Sequence, residues 1–116
     1  MYLENSKTIV VKIGSSSIID DKKIIRKKWL FGFAKEIKNL RKKKKNIIIV
    51  SSGAIALGCK KLNIAKKKLK IDQSQAIASV GQIELMNLFK EVFAIQKINI
   101  SQILLTLEDT EIRRRA

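Results

Sequence analysis

Apolar and polar positions fall into blocks along this chain, and block length separates strands from helices. Thr8-Ile9-Val10-Val11 is a continuous β-branched run, the pattern of a central strand covered on both faces. The first strand is read over residues 7–13. It ends in Gly14-Ser15-Ser16-Ser17, a glycine-and-hydroxyl turn, and residues 20–23 are polar loop. From 24 to 43 the period changes. Leu30, Phe33, Ile37 and Leu40 recur at three and four residues and predict one apolar helical stripe. Trp29 flanks it, and Lys27, Lys28, Lys35, Lys38, Arg41 and Lys42 take the other faces. Gly32 inside this helix costs about 1 kcal/mol against alanine, which marks a close contact. The helix runs out in Lys42-Lys43-Lys44-Lys45-Asn46. Cations suit the C-terminal dipole, and Asn46 is expected to take the left-handed cap in the absence of glycine.

Ile47-Ile48-Ile49-Val50 is a second wholly apolar run, also read as a strand buried on both faces. It stops at Ser51-Ser52-Gly53, and 54–62 resumes as a short helix containing Gly58 and Cys59. Residues 63–72 form a lysine-rich connector. Residues 73–93 form a long helix with too many apolar positions for one face, so it is either sandwiched in a core or part of an oligomer interface. Ala78, Ser79 and Gly81 within it allow a neighbouring backbone to come close. A third strand is expected over 99–106, followed by a charged segment. The order β–α–β–α–α–β predicts an α/β fold with a parallel sheet. Three strands leave edges open, so residues 1–116 read as one incomplete domain, the first half of something larger.

Composition changes this picture in three ways. There is no histidine, which removes the commonest general base and metal ligand. The single cysteine, Cys59, supplies neither a disulfide framework nor a metal cluster and reads as a small buried hydrophobe. No apolar run approaches the length of a membrane span, and the first seven residues do not resemble a signal peptide, so a cytoplasmic location and no membrane partner are expected. The formal charge of +15 taken alone suggests nucleic acid. The excess is mostly lysine between apolar segments, as on solvated faces, and travels with much Ile and Asn. A small basic nucleic-acid-binding module is therefore the alternative reading, not the first.

The strand ends carry the candidate chemistry. Lys12-Ile13-Gly14-Ser15 places an ammonium beside a glycine turn, and such a pair can approach and neutralise a phosphate; a plain punctuating turn is the competing reading. Neither Gly-x-x-x-x-Gly-Lys-Ser/Thr nor Gly-x-Gly-x-x-Gly occurs, which excludes a Walker loop and argues against a dinucleotide fold. Ser51-Ser52-Gly53-Ala54 opens a helix, whose N-terminus favours a carboxylate or phosphate; a simple N-cap by Ser52 competes. No serine has a histidine base, so serine nucleophilic catalysis is unsupported.

Four blocks in order, Ile9-Val10-Val11-Lys12-Ile13-Gly14-Ser15-Ser16, Val50-Ser51-Ser52-Gly53-Ala54-Ile55-Ala56-Leu57-Gly58, Gln75-Ala76-Ile77-Ala78-Ser79-Val80-Gly81-Gln82 and Gln102-Ile103-Leu104-Leu105-Thr106, resemble the glutamate-phosphorylating branch of the amino acid kinase family. Kinases of aspartate, acetylglutamate and uridylate share the opening Lys-x-Gly turn but not this version of the later blocks. The resemblance implies a parallel three-layer α/β/α sandwich, incomplete in this chain. It implies ATP-dependent phosphorylation of the γ-carboxylate of L-glutamate, the first step of proline synthesis, with ATP and Mg²⁺ required and a homo-oligomeric enzyme. By the motif match Lys12 is the catalytic lysine on the ATP phosphates, Gly14 and Ser15 line the phosphate path, and Ser52, Gly53 and Ala54 bind glutamate. No metal ligand is assigned. The sequence departs from the family in lacking a glycine before the second strand. It also has no counterpart of the later glutamate-binding residues or the nucleotide-binding half, so it is expected to be an N-terminal portion. A non-catalytic remnant assembling through helix 73–93 is a further alternative.

Overall fold

The computed structural model describes residues 7–65 and 69–103. Strand β1 is Thr8–Ile13, followed by a single helical turn, α1, Ser15–Ile18. Helix α2 is Lys27–Lys42, β2 is Asn46–Ser51, α3 is Ala54–Leu62 and α4 is Ile71–Ala94. The two strands pair in parallel with Thr8 opposite Asn46 and Ile13 opposite Ser51. Both strands therefore end at the same edge of the sheet.

The helices cover one face of this sheet. Ile9 and Ile13 are buried, and Val11, Ile47 and Ile49 are half-buried against a core built from Leu30, Ala34 and Ile37 of α2 and Leu85, Leu88, Phe89, Val92 and Phe93 of α4. The other face is open: Val10 is 63% exposed, Ile48 45% and Val50 49%. The expectation of strands buried on both faces is thus corrected to burial on one. A continuous β-branched run reports that two faces are suited to burial, not that the described residues supply both covers. The parallel order agrees with the predicted α/β class.

Helix α4 begins at Ile71, two residues before the expected 73, and three further features differ from expectation. Helix α2 begins at Lys27 instead of 24, because Ile25 forms an antiparallel bridge with Ile19 and the Arg26 N–H donates to the Ile18 carbonyl (2.8 Å). Asn46 does not cap that helix. Lys44 takes the left-handed conformation (φ 62°), and Asn46 instead starts β2 with its N–H on the Lys7 carbonyl (2.7 Å). No strand pairing occurs over 99–103, the described part of the expected third strand, and its remainder lies outside the described residues.

Helix α4 puts part of its apolar circumference into the core. Ile77, Gly81 and Leu85 are among its buried residues. It crosses α3 closely: a Cβ at Gly58 would overlap the Ile77 carbonyl oxygen, and one at Gly81 would overlap that of Ala54. Its buried side is a core face packed on α3 and α2, while Ile71 (82%) and Ile83 (64%) on the same helix are exposed. No helix among the described residues is long and apolar enough to cross a membrane.

Candidate functional site

The parallel register brings two glycine-and-hydroxyl turns together. Lys12 lies beside Val50 on the open face of the sheet and is exposed. One residue further, the Ser52 N–H donates to the Ile13 carbonyl at 3.1 Å. This bond continues the ladder past the last paired residues and ties the turn after β2 to the turn after β1. The two strand ends are thus one structure at one edge, where open parallel sheets hold ligands.

Each turn is shaped by its glycine differently. Gly53 has φ 120°, a conformation side chains rarely adopt. A Cβ on it would lie 3.4 Å from Ile18 Cδ1 and 3.7 Å from Ser15 Cα. Gly53 is buried, and its Cβ direction faces the α1 turn. Gly14 has φ −77°, and a Cβ there would meet nothing within 4 Å. The Ser17 N–H returns to the Gly14 carbonyl at 3.1 Å and closes α1.

The start of α3 is an open helix N-terminus. Gly53, not Ser52, is the N-cap, and no side chain caps the helix. The first helical bond runs from the Leu57 N–H to the Gly53 carbonyl at 2.9 Å. The amides before it, on Ala54, Ile55 and Ala56, belong to the first turn, which has no intrahelical acceptor to offer them. No acidic side chain in the first turn of α3 offsets the positive end of the helix dipole. The Ser51 hydroxyl is spent within the turn, donating to the Ser52 carbonyl at 3.0 Å. Ser52 is exposed. The competing reading of Ser52 as an ordinary N-cap is not what the backbone does.

The structure therefore gathers Lys12, Gly14 and Ser15 on one turn and Ser52, Gly53 and Ala54 on the other, around the Ile13–Ser52 bond. Sequence reasoning missed the Ile13 carbonyl and that the Cβ direction of Gly53 faces Ser15 and Ile18. The only signal for them was that both strand runs end in the same residue types. Among the described residues no three of His, Cys, Asp and Glu are grouped to hold a metal ion. The residues present suit the oxygens of a phosphate or carboxylate, and do not form a protein cage for Mg²⁺.

Residues 7–116 match the profile of the amino acid kinase family. The whole chain is 73% identical over 116 residues to the glutamate 5-kinase of Pelagibacter ubique and covers 32% of it. It is 43% identical, over 97% of its length, to the glutamate 5-kinase of Ruegeria sp., covering 31% of that protein. It is 45% identical, over 99% of its length, to that of Nitrobacter hamburgensis, again covering 31%. The chain spans about a third of the length of the curated relatives it matches.

Proposed function

The chain belongs to the amino acid kinase family, and from that premise we propose that it supplies the glutamate side of a glutamate 5-kinase. The reaction is ATP-dependent phosphorylation of the γ-carboxylate of L-glutamate to glutamate 5-phosphate, the entry to proline synthesis. The observation that carries this reading is the hydrogen bond from Ser52 N–H to the Ile13 carbonyl, which fixes a carboxylate-suited turn beside a phosphate-suited one.

The chemistry needs little from the protein beyond position and charge. A γ-carboxylate oxygen of glutamate attacks the γ-phosphorus of ATP, the new O–P bond forms, and the bond to the β-phosphate oxygen breaks to release ADP. The attacking carboxylate is already ionised, so no general base is called for and the lack of histidine is no obstacle. Lys12 neutralises charge on the transferring phosphoryl group. Gly14 and Ser15 admit the phosphates close to backbone. Ser52, with the Gly53 and Ala54 amides at the positive end of α3, holds the glutamate. Mg²⁺ in this reading travels with the ATP phosphates, since it commonly keeps few protein ligands in such sites. The enzyme acts in the cytoplasm, where both substrates occur, and as a homo-oligomer.

The test exchanges these 116 residues for the matching stretch of the Pelagibacter ubique relative. The purified chimera is assayed for ADP release with L-glutamate, and for the acyl phosphate by trapping with hydroxylamine. Glutamate-dependent turnover that collapses in Lys12→Ala is expected. A folded chimera without turnover, or one indifferent to Lys12→Ala, would overturn the assignment.

A further inference from the structure

The α1 turn follows Gly14 and begins with Ser15, yet little of its own sequence holds it. It is a single helical turn of four residues, too short to be stable by itself. Only Ile18 of it is buried. The Gly14 carbonyl accepts from the Ser17 N–H at 3.1 Å, and the Ser15 carbonyl from the Ile19 N–H at 3.0 Å. The helix goes no further. The Asp20 N–H, which would extend it onto the Ser16 carbonyl, donates to the Ile24 carbonyl at 2.9 Å instead. One residue from outside the turn takes up the carbonyls left at this end. The Arg26 N–H donates to the Ile18 carbonyl at 2.8 Å, and Arg26 Nη1 donates to the Ser16 carbonyl at 3.3 Å. Basic side chains can cap the last carbonyls of a helix in this way.

Arg26 is anchored in turn. It stands at the head of α2, where its carbonyl accepts from the Leu30 N–H at 3.0 Å. Its guanidinium carbon lies 5.9 Å from the Trp29 ring centroid, within cation–π range. Trp29 stacks on Phe33 with ring centroids 5.5 Å apart, and Phe33 meets the buried Phe93 edge-on at 6.3 Å. A line of rings thus runs out from the core and ends at the guanidinium that caps α1. We propose that Arg26 is a positioning residue for the phosphate turn: held on Trp29, it closes the open end of α1 and thereby fixes the backbone of Gly14 and Ser15. A planar guanidinium suits this task, because it stacks through its face and donates through its edge. Arg26 touches neither substrate in this arrangement and acts through the α1 backbone. The inference deepens the functional reading and rests on the phosphate role given there to Gly14 and Ser15.

The test combines amide hydrogen exchange with kinetics on the chimera described above. Arg26→Met keeps an aliphatic stem and removes the donors. Exchange over residues 15–19 is expected to quicken about fivefold, with α2 and α4 unchanged. KM for ATP is expected to rise about threefold to tenfold while KM for glutamate stays within about twofold. A merely structural role would lower the folded fraction, and so the apparent kcat, and would move neither KM. Arg26→Lys keeps a donor without the planar stack and should fall between parent and Arg26→Met. Trp29→Leu should raise KM for ATP about twofold and add nothing to Arg26→Met, because Trp29 acts through Arg26. Unchanged exchange over 15–19 in Arg26→Met overturns the proposal, with or without turnover. So does exchange that quickens equally throughout α2 and α4, faster local exchange with an unchanged KM for ATP, or additive effects of the two substitutions. A parent chimera without turnover fails the kinase assignment instead, and exchange still judges the tether.

Discussion

The backbone of Gly81 in α4 lies directly against the Ala54 carbonyl in the first turn of α3, with no room for a Cβ between them. Gly58, one turn along α3, meets the Ile77 carbonyl, one turn back along α4, in the same way. Two glycines thus let the helices cross backbone to backbone at the end of α3 that follows Gly53. Position 81 is therefore connected to the candidate glutamate turn through a rigid contact. Gly81→Ala must push the helices apart and is expected to destabilise the fold by about 3 kcal/mol, the upper range for an overpacked core. Urea unfolding measures this. In the kinase chimera the same change should raise KM for glutamate, because Ala54 is displaced. Gly58→Ala should cost similar stability with a smaller effect on KM.

Much of this arrangement is legible in the sequence. The β-branched runs at 8–11 and 47–50 announce two strands, and their common ending in hydroxyls and glycine announces two related turns. Helix α3 lies at the predicted 54–62, because Gly53 and Asn63 (φ 56°) punctuate it at both ends. The failures have physical causes. Helix α1 is four residues of Ser-Ser-Ser-Ile, too short to show a period. The open sheet face could not be read because burial depends on what covers a strand, which its own pattern does not contain. Gly81 was recognisable as a residue permitting close approach, but its partner Ala54 is 27 positions away (81 − 54) and carries no local mark.

Lys12 and Ser52 separate the two halves of the proposed chemistry. Both are exposed, so neither substitution should alter stability appreciably. Lys12→Ala removes the charge proposed to face the transferring phosphoryl group and is expected to lower kcat of the chimera by about 10²–10³-fold with little change in KM for glutamate. Ser52→Ala removes one hydrogen-bonding group from the proposed carboxylate site and should raise KM for glutamate by about tenfold. Equal loss of turnover and glutamate affinity in Lys12→Ala would count against its phosphate role.

Lys44 holds the turn between α2 and β2 at φ 62°. Its N–H bonds the Arg41 carbonyl at 2.9 Å, and the Lys45 N–H reaches back to the Leu40 carbonyl at 3.3 Å. This is a left-handed helix C-terminus built with a lysine where glycine is the usual choice. A side chain in this conformation costs about 1–2 kcal/mol, partly offset by the extra freedom glycine gives the unfolded chain. Lys44→Gly is therefore expected to stabilise the protein by about 0.5–1 kcal/mol. The urea midpoint should rise with an unchanged slope. Asn46→Gly should lower it, since Asn46 is a strand residue of β2 and glycine there loses more backbone freedom on folding, while the N–H bond to Lys7 is kept.

Gly14 and Gly53 sit on facing turns but answer to different constraints. Gly53 needs its φ of 120°, so Gly53→Ala should cost about 1–3 kcal/mol from backbone strain alone. Gly14 has an ordinary φ of −77° and open space where a Cβ would point. Nothing in the fold requires glycine there. Gly14→Ala should leave stability unchanged or raise it by about 0.5 kcal/mol by restricting the unfolded chain. If ATP phosphates approach this backbone, the same methyl group stands in their path, and KM for ATP in the chimera should rise while the melting temperature does not fall. A variant with unchanged KM for ATP would mean that the phosphates do not pass Gly14, and that Lys12 alone on this strand end meets the nucleotide.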